Sequence, residues 1–293
     1  FEKVGTTSFQ FLKVMTDARS TGMAEAQSAV TNSAEAVFWN PAALTQIRNF
    51  DVALSYLDWL LDTSHSSIAA AYSLGNIGTL GFHAMATNIG EIQVTTVDAL
   101  GFVNSAYNPG LTGETISPSA LSVGLSFARQ LTDKLSFGIT AKYVQEDLGP
   151  EKAANLIFDG GLTFDTGFKS LRVAAAIRHF GSEVKYIDQS YPLPQTFTIG
   201  VAAFLFAAQD GFLFNSDEHS LLVAYDLSQP RDYDQQHHVG VEYTLKDFVS
   251  LRTGYKFNFD EEGLAYGFGL KLAGIRIDYS YSDFDDYLDS VHR

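Results

Sequence analysis

Apolar and polar residues alternate one for one over windows of nine or ten positions through most of this sequence, a pattern that long β-strands satisfy and helices do not. Val249, Leu251, Thr253, Tyr255 and Phe257 alternate with Ser250, Arg252, Gly254, Lys256 and Asn258. Leu135, Phe137, Ile139, Ala141 and Tyr143 alternate in the same way with Ser136, Gly138, Thr140 and Lys142, and Ile275, Ile277, Tyr279 and Tyr281 with Gly274, Arg276, Asp278 and Ser280. Successive side chains of a strand point to opposite faces, so each stretch has one apolar and one polar face. Length then separates two architectures. Soluble strands average about 5–6 residues, whereas a tilted strand crossing a bilayer needs about 9–11.

Composition points the same way. With 46% hydrophobic and only 18% charged residues, a chain of 293 residues carries little charge for a surface that faces water throughout. No run approaches the roughly 20 apolar residues of a membrane-crossing helix; the best candidate, 196–208, is short and reads as a strand. A closed barrel is then the way to satisfy the backbone in lipid. The 14 Tyr and 23 Phe, many near strand ends, suit aromatic belts at the two interfaces. The competing reading is a soluble β-sandwich, which strand length and the outward apolar positions disfavour.

Thirteen crossings are expected, near 50–58, 64–74, 77–97, 119–130, 134–147, 155–168, 170–179, 195–208, 219–228, 236–245, 248–258, 263–272 and 274–283. Short turns at 131–134, 246–247 and 273 and long loops at 98–118, 180–194 and 284 onward fit the two unlike ends of a membrane barrel. The stretch 77–97 is long for one crossing, and Gly90 in its middle reads as a strand kink. The first 48 residues differ. Phe9, Leu12 and Met15 recur at helical spacing, 24–36 is rich in small residues, and Asn40-Pro41 marks a turn. This segment is expected to plug the lumen, with 49–293 as wall. Phe1 is not an initiator methionine, and the start reads as that of a processed or partly observed chain.

Catalytic and metal chemistry finds little footing. Without cysteine there is no thiolate site, disulfide or cysteine nucleophile. A net charge of −15 disfavours nucleic acid. His237 and His238 are adjacent, hence on opposite faces of a strand, and His65, His83, His179 and His219 have no partner at metal-ligand spacing. Gly160-Gly161 and Gly267-x-Gly269 lie in strands, so a phosphate loop is excluded, and no Gly-x-Ser-x-Gly elbow occurs. Neither an enzyme nor a cofactor is expected.

Three groups of residues remain as candidates. Inward-facing charges comprise Lys142, Asp159, Asp165, Arg172, Arg178, Asp226, Glu242, Arg252, Lys256, Lys271, Arg276 and Asp278. They either line a conduction or binding path or cross-brace the barrel; the mixture of signs favours bracing, since single buried charges are costly. Asn40, Pro41 and Ala42 form either a gate or a turn that docks the plug, and Phe38 and Trp39 before them are lumen anchors or walls of a hydrophobic pocket. Tyr107, Asn108 and Pro109 suit a structured loop that contacts a partner, or plain loop closure.

Several stretches, in order, resemble the PorV/PorQ family of FadL-like outer-membrane barrels. Ala18-Arg-Ser-Thr-Gly-Met-Ala-Glu-Ala26 followed by Ala36-Val-Phe-Trp-Asn-Pro-Ala-Ala-Leu44 is similar to the N-terminal plug signature. Gly138-Ile-Thr-Ala-Lys-Tyr-Val-Gln-Glu146 with Phe158-Asp-Gly-Gly161 resembles the central hairpin, and Leu193-Pro-Gln-Thr-Phe-Thr-Ile-Gly200 a strand entry. Leu251-Arg-Thr-Gly-Tyr-Lys-Phe257, Tyr266-Gly-Phe-Gly-Leu270 and Ile277-Asp-Tyr-Ser280 look like the C-terminal strands. The resemblance implies an all-β, antiparallel transmembrane barrel of about 14 strands. Either the last strand lies past His292-Arg293, outside this sequence, or 77–97 makes two crossings. It also implies the outer membrane of a Gram-negative, Bacteroidota-like bacterium, with membrane lipid around the wall. Secreted cargo, or attachment components of a type IX secretion system, would be the partners. The FadL side of the resemblance implies the alternative, uptake of a small hydrophobic compound.

Overall fold

The computed structural model describes residues 4–103, 106–260, 262–284 and 290–293. Fourteen antiparallel strands run up and down in chain order: β1 (Phe50–Asp58), β2 (Ser64–Ser73), β3 (Thr79–Asn88), β4 (Ser119–Gln130), β5 (Leu135–Asp147), β6 (Lys152–Asp165), β7 (Arg172–Phe180), β8 (Thr196–Ala207), β9 (His219–Pro230), β10 (Gln236–Leu245), β11 (Val249–Phe257), β12 (Glu262–Leu272), β13 (Ile275–Phe284) and β14 (Val291–His292). Each pairs with its neighbours in sequence, as β5 does with β6 from Leu135↔Phe164 to Asp147↔Lys152. The ring closes where β14 bridges β13, through Tyr281↔His292 and Ser282↔Val291, and β1, through Asp58↔His292. No helix among the described residues is long and apolar enough to cross a membrane; the strands do that.

Burial runs opposite to that of a soluble protein. Leu54 is 76% exposed, Leu125 67% and Ile277 70%, while Ser122, Ser126, Thr140, Thr198 and Ser280 on the other face are buried. Apolar side chains outside and polar ones inside are what a wall between lipid and a lumen requires, and this excludes the sandwich.

Two expectations are corrected. The stretch 77–97 is not one kinked crossing: β3 ends at Asn88, and Gly90 (φ +81°) stands where the chain leaves the wall. It enters a separate two-stranded hairpin, Ile92–Val103 with Ala106–Ile116, so most of the expected loop is β-structure. A fourteenth strand, expected either outside the sequence or within 77–97, begins at Val291–His292 between β13 and β1. The hairpin defines one end of the barrel, here the hairpin side, and the turns at 74–78, 131–134, 246–248 and 273–274 define the turn side. The division by loop length is imperfect, because 208–218 lies on the turn side and 148–151 on the hairpin side.

Candidate functional site: the occupied lumen

The N-terminal segment is folded by short-range signals and then held by the wall. Asp17 caps α1 (Ala18–Thr21) by accepting from the Ser20 N–H at 2.8 Å. Asn40 ends α2 (Ala36–Trp39) and opens a 3-10 turn, Pro41–Gln46, accepting from the Ala42 N–H and donating to the Ser28 and Leu162 carbonyls. Proline suits the first position of such a turn because its missing N–H would have no partner there. Phe9, Met23, Ala34, Val37 and Leu44 are all buried, and they pack on the inner faces of strands on opposite sides of the ring.

Inward-facing glycines carry the imprint of this segment. A Cβ on Gly138 would lie 2.4 Å from the backbone of Pro41 and Ala42, and one on Gly161 1.9 Å from Asn40 Oδ1. Gly240 and Gly254 leave room for Met23, and Gly267 meets the backbone of Gly22. The alternating pattern shows these glycines as inward positions of strands; that they form a seat for main chain is a tertiary fact.

The inward charges form chains that tie segment to wall. Arg19 donates to Glu242 at 2.8 and 3.0 Å, Glu242 accepts from Arg252 at 2.5 Å, and Arg252 reaches Asp278 at 2.6 Å. Asp278 also accepts from Arg276 at 2.6 Å, and Arg276 returns to the segment at Glu35, 3.4 Å away. On the hairpin side Lys256 lies between Glu25, at 2.8 Å, and Glu262. Asp226 Oδ2 accepts from the Gln27 and Ser28 N–H groups, whereas its Oδ1, packed over Gly200, has no partner among the described residues. Near the turn side Arg172 pairs with Asp165 and reaches Gln46. Lys271 differs from the expectation: it is exposed and pairs with Asp247 at the rim, because β12 has left the lumen by that height.

The remaining three, Lys142, Asp159 and Arg178, gather around a bulge. Pairing of β6 with β7 shifts register between Phe158 and Gly160, and His179 adopts φ +60°. Arg178 and His179, though adjacent, are therefore both buried in the lumen. Asp159 holds the bulge, accepting from the His179 N–H at 2.7 Å and from Lys142 at 2.6 Å. Arg178 lies over the Trp39 ring, 5.1 Å from its centroid. Trp39 donates its indole N–H to Asp17 at 2.7 Å, and Phe38 packs against His83.

Cavities remain beside the segment toward both ends of the lumen. One of about 410 Å³ lies at the hairpin side, walled by Trp39, Trp59 and Phe259 among others, and one of about 390 Å³ at the turn side beside Arg19 and Glu242. Between them Gly22 and Met23 touch β10, β11 and β12. The start of the segment is fixed at the hairpin-side rim, where Lys13 donates to Asp232 at 2.7 Å and Thr7 does so at 2.8 Å. Burial alone would raise the Asp232 carboxyl, but the Lys13 and Thr7 contacts hold it below the ordinary 3.8. A depressed carboxylate stabilises the fold above its unfolded-state value and loses that contribution as pH falls through the folded one. The N-terminal residues are therefore expected to become protease-accessible below about pH 4. Asp232→Asn should produce the same accessibility at neutral pH, at a cost of about 1 kcal/mol.

Sequence reasoning missed Arg19, Glu25, Glu35, Trp59 and Arg293 as lumen residues. For Arg19 a signal existed, a lone cation in a run of small residues. Trp59 lies in a turn, where no periodicity assigns a face.

Among solved structures, the Ralstonia pickettii toluene transporter TbuX is similar at TM-score 0.56 and 15% identity, over 92% of this chain and 94% of that one. The CymD monoaromatic hydrocarbon channel gives 0.57 at 14%, over 94% of each. The Pseudomonas putida toluene transporter TodX gives 0.52 at 12%, over 93% and 94%. At these identities the likeness establishes the fold alone, a closed antiparallel β-barrel like theirs. No curated protein matches the sequence. The family model for the type IX secretion system protein PorV matches residues 2–223. That span exceeds half of the sequence, and the chain belongs to the PorV family.

Proposed function

We propose that this barrel is a non-enzymatic platform or shuttle in the outer membrane of a Bacteroidota-like bacterium. It would hold secreted cargo, or the partners that attach cargo to the surface, at its hairpin-side loops. The observation that carries this reading is the occupied lumen: a segment bonded to strands around the ring leaves little room for diffusion and makes the loop surface the useful part. The hairpin supports it. Ile92–Val103 and Ala106–Ile116 pair only with each other among the described strands, so the outer edge of the first is free to accept a strand from a partner. Val97 (81% exposed) and Phe102 (77%) lie open on it. Tyr107 packs edge-on against Phe102, while Asn108 accepts from the Gly110 and Leu111 N–H groups and, with Pro109, blunts the second strand.

A detergent pull-down from native membranes, with mass spectrometry of proteins and lipid-like ligands, tests this. Secreted proteins with C-terminal sorting domains, or translocon components, are expected with the full chain and not with a chain whose 92–116 is replaced by a short turn. A lone barrel that retains a hydrophobic molecule would instead establish uptake, the reading that the aromatic walls of the hairpin-side cavity favour.

A further inference from the structure

We infer that the hairpin-side cavity is a binding site for a compact aromatic carboxylate, held by Arg178 and Arg293. This goes beyond the platform reading and does not depend on it. Arg178 is 8% exposed, and its only hydrogen-bond contacts among the described residues are long ones from Nη1, to the Phe38 carbonyl at 3.4 Å and to Met15 Sδ at 3.9 Å. Its Nε and Nη2 have no partner there, yet they are not among the sealed polar atoms of the interior, so they face open space. Arg293 approaches the same Met15, donating to its carbonyl at 3.0 Å and to Ser282 at 2.9 Å, and lies over the Trp59 ring at 5.3 Å. Among the described residues no carboxylate lies within 4.0 Å of either guanidinium.

A buried guanidinium without a carboxylate is costly, and proteins normally pair it. Among the described residues, neighbouring acids are already engaged by other donors: Glu25 and Glu262 by Lys256, Asp232 by Lys13, Asp159 by Lys142, and Asp226 through Oδ2 by backbone N–H groups. The site is also constructed rather than incidental. Arg178 continues the inward row of Ala174 and Ala176, and the β6–β7 bulge with the left-handed His179 brings His179 into the lumen beside it. The Nε and Nη2 of Arg178, backed by the Trp39 ring, offer a fork to a carboxylate, and Arg293, whose Nε and Nη1 are engaged by Met15 and Ser282, adds a second positive charge over the Trp59 ring. Trp39, Trp59 and Phe259 offer flat walls to a ring, and about 410 Å³ suits a compact molecule better than a long acyl chain.

The chain carries only 2 Trp, and both line this cavity, so intrinsic fluorescence reports on it directly. The full chain in detergent would be titrated with phenylacetate, with its neutral isostere phenylacetamide, and with dodecanoate. Saturable quenching by phenylacetate, at least tenfold tighter than by phenylacetamide, is expected. R178M is expected to abolish that preference, and the exposed-rim variant K152M to keep it. Equal affinity for acid and amide, or no saturable quenching, would overturn the assignment. So would dodecanoate binding tenfold tighter than phenylacetate, which would make the ligand a membrane-derived fatty acid. If R178M fails to fold, the acid–amide comparison on the unaltered chain still decides.

Discussion

Gly138→Val is expected to drive the N-terminal segment from its seat and open the barrel to ions. The new side chain would meet the backbone of Pro41 and Ala42 at 2.4 Å, and backbone cannot rotate aside as a side chain can. Overpacking of this kind costs about 1–3 kcal/mol. The strain falls on the segment rather than the wall, since valine suits a strand and β5 is paired along its whole length with β4 and β6. Two readouts follow. Trp39, buried against Asp17 and Arg178, should shift its emission to longer wavelength as it meets water. Planar bilayers should then show steady conductance for Gly138→Val and negligible conductance for the unaltered chain. Ile139→Ala, one residue on and facing lipid, should do neither. A sealed Gly138→Val barrel with an unchanged Trp spectrum would mean that the segment is not what closes the lumen.

Glu242→Leu is the second substitution with a large expected effect, this time on stability. Glu242 is the node between Arg19 on the segment and Arg252 on the wall, with side chains no more than 8% exposed. Removing one partner of a buried pair leaves charge without compensation and costs about 3–5 kcal/mol. The lower end is expected, because Arg252 keeps Asp278 and Arg19 keeps Asn32. Glu218→Leu removes a pair whose side chains are 62–63% exposed and should cost less than about 1 kcal/mol. Urea unfolding in lipid vesicles compares them. Equal midpoints for the two variants would show that the buried chain of charges braces nothing. Adding Arg19→Met to Glu242→Leu should restore part of the loss, since the stranded cation is then gone too.

The period of two was enough to give strand positions, which face of each strand meets lipid, and the inward placement of Lys142, Glu242, Arg252, Lys256 and Asp278. That information is local: alternation is imposed residue by residue by backbone geometry and by the lipid outside. The polar faces did not reveal their partners. Which cation meets which carboxylate depends on strand register and on where the segment lies, and Arg19 meets Glu242 across 223 positions of sequence.

Gly90 and 77–97 show the limit at strand ends, where alternation continues smoothly from β3 into the hairpin although the chain has left the wall. The bulge at Asp159 shows a different limit: strict alternation sends Arg178 and His179 to opposite faces, and one shifted register places both in the lumen. By itself the sequence determined a membrane wall with a polar interior and a distinct N-terminal segment, because those are consequences of composition and period. Only the tertiary structure decided that glycines on β5, β6, β10 and β11 make room for that segment, and that two arginines are left facing a cavity. Close approach of backbones and a side chain's exposure to a cavity are properties of distance in space, which no spacing along the chain records.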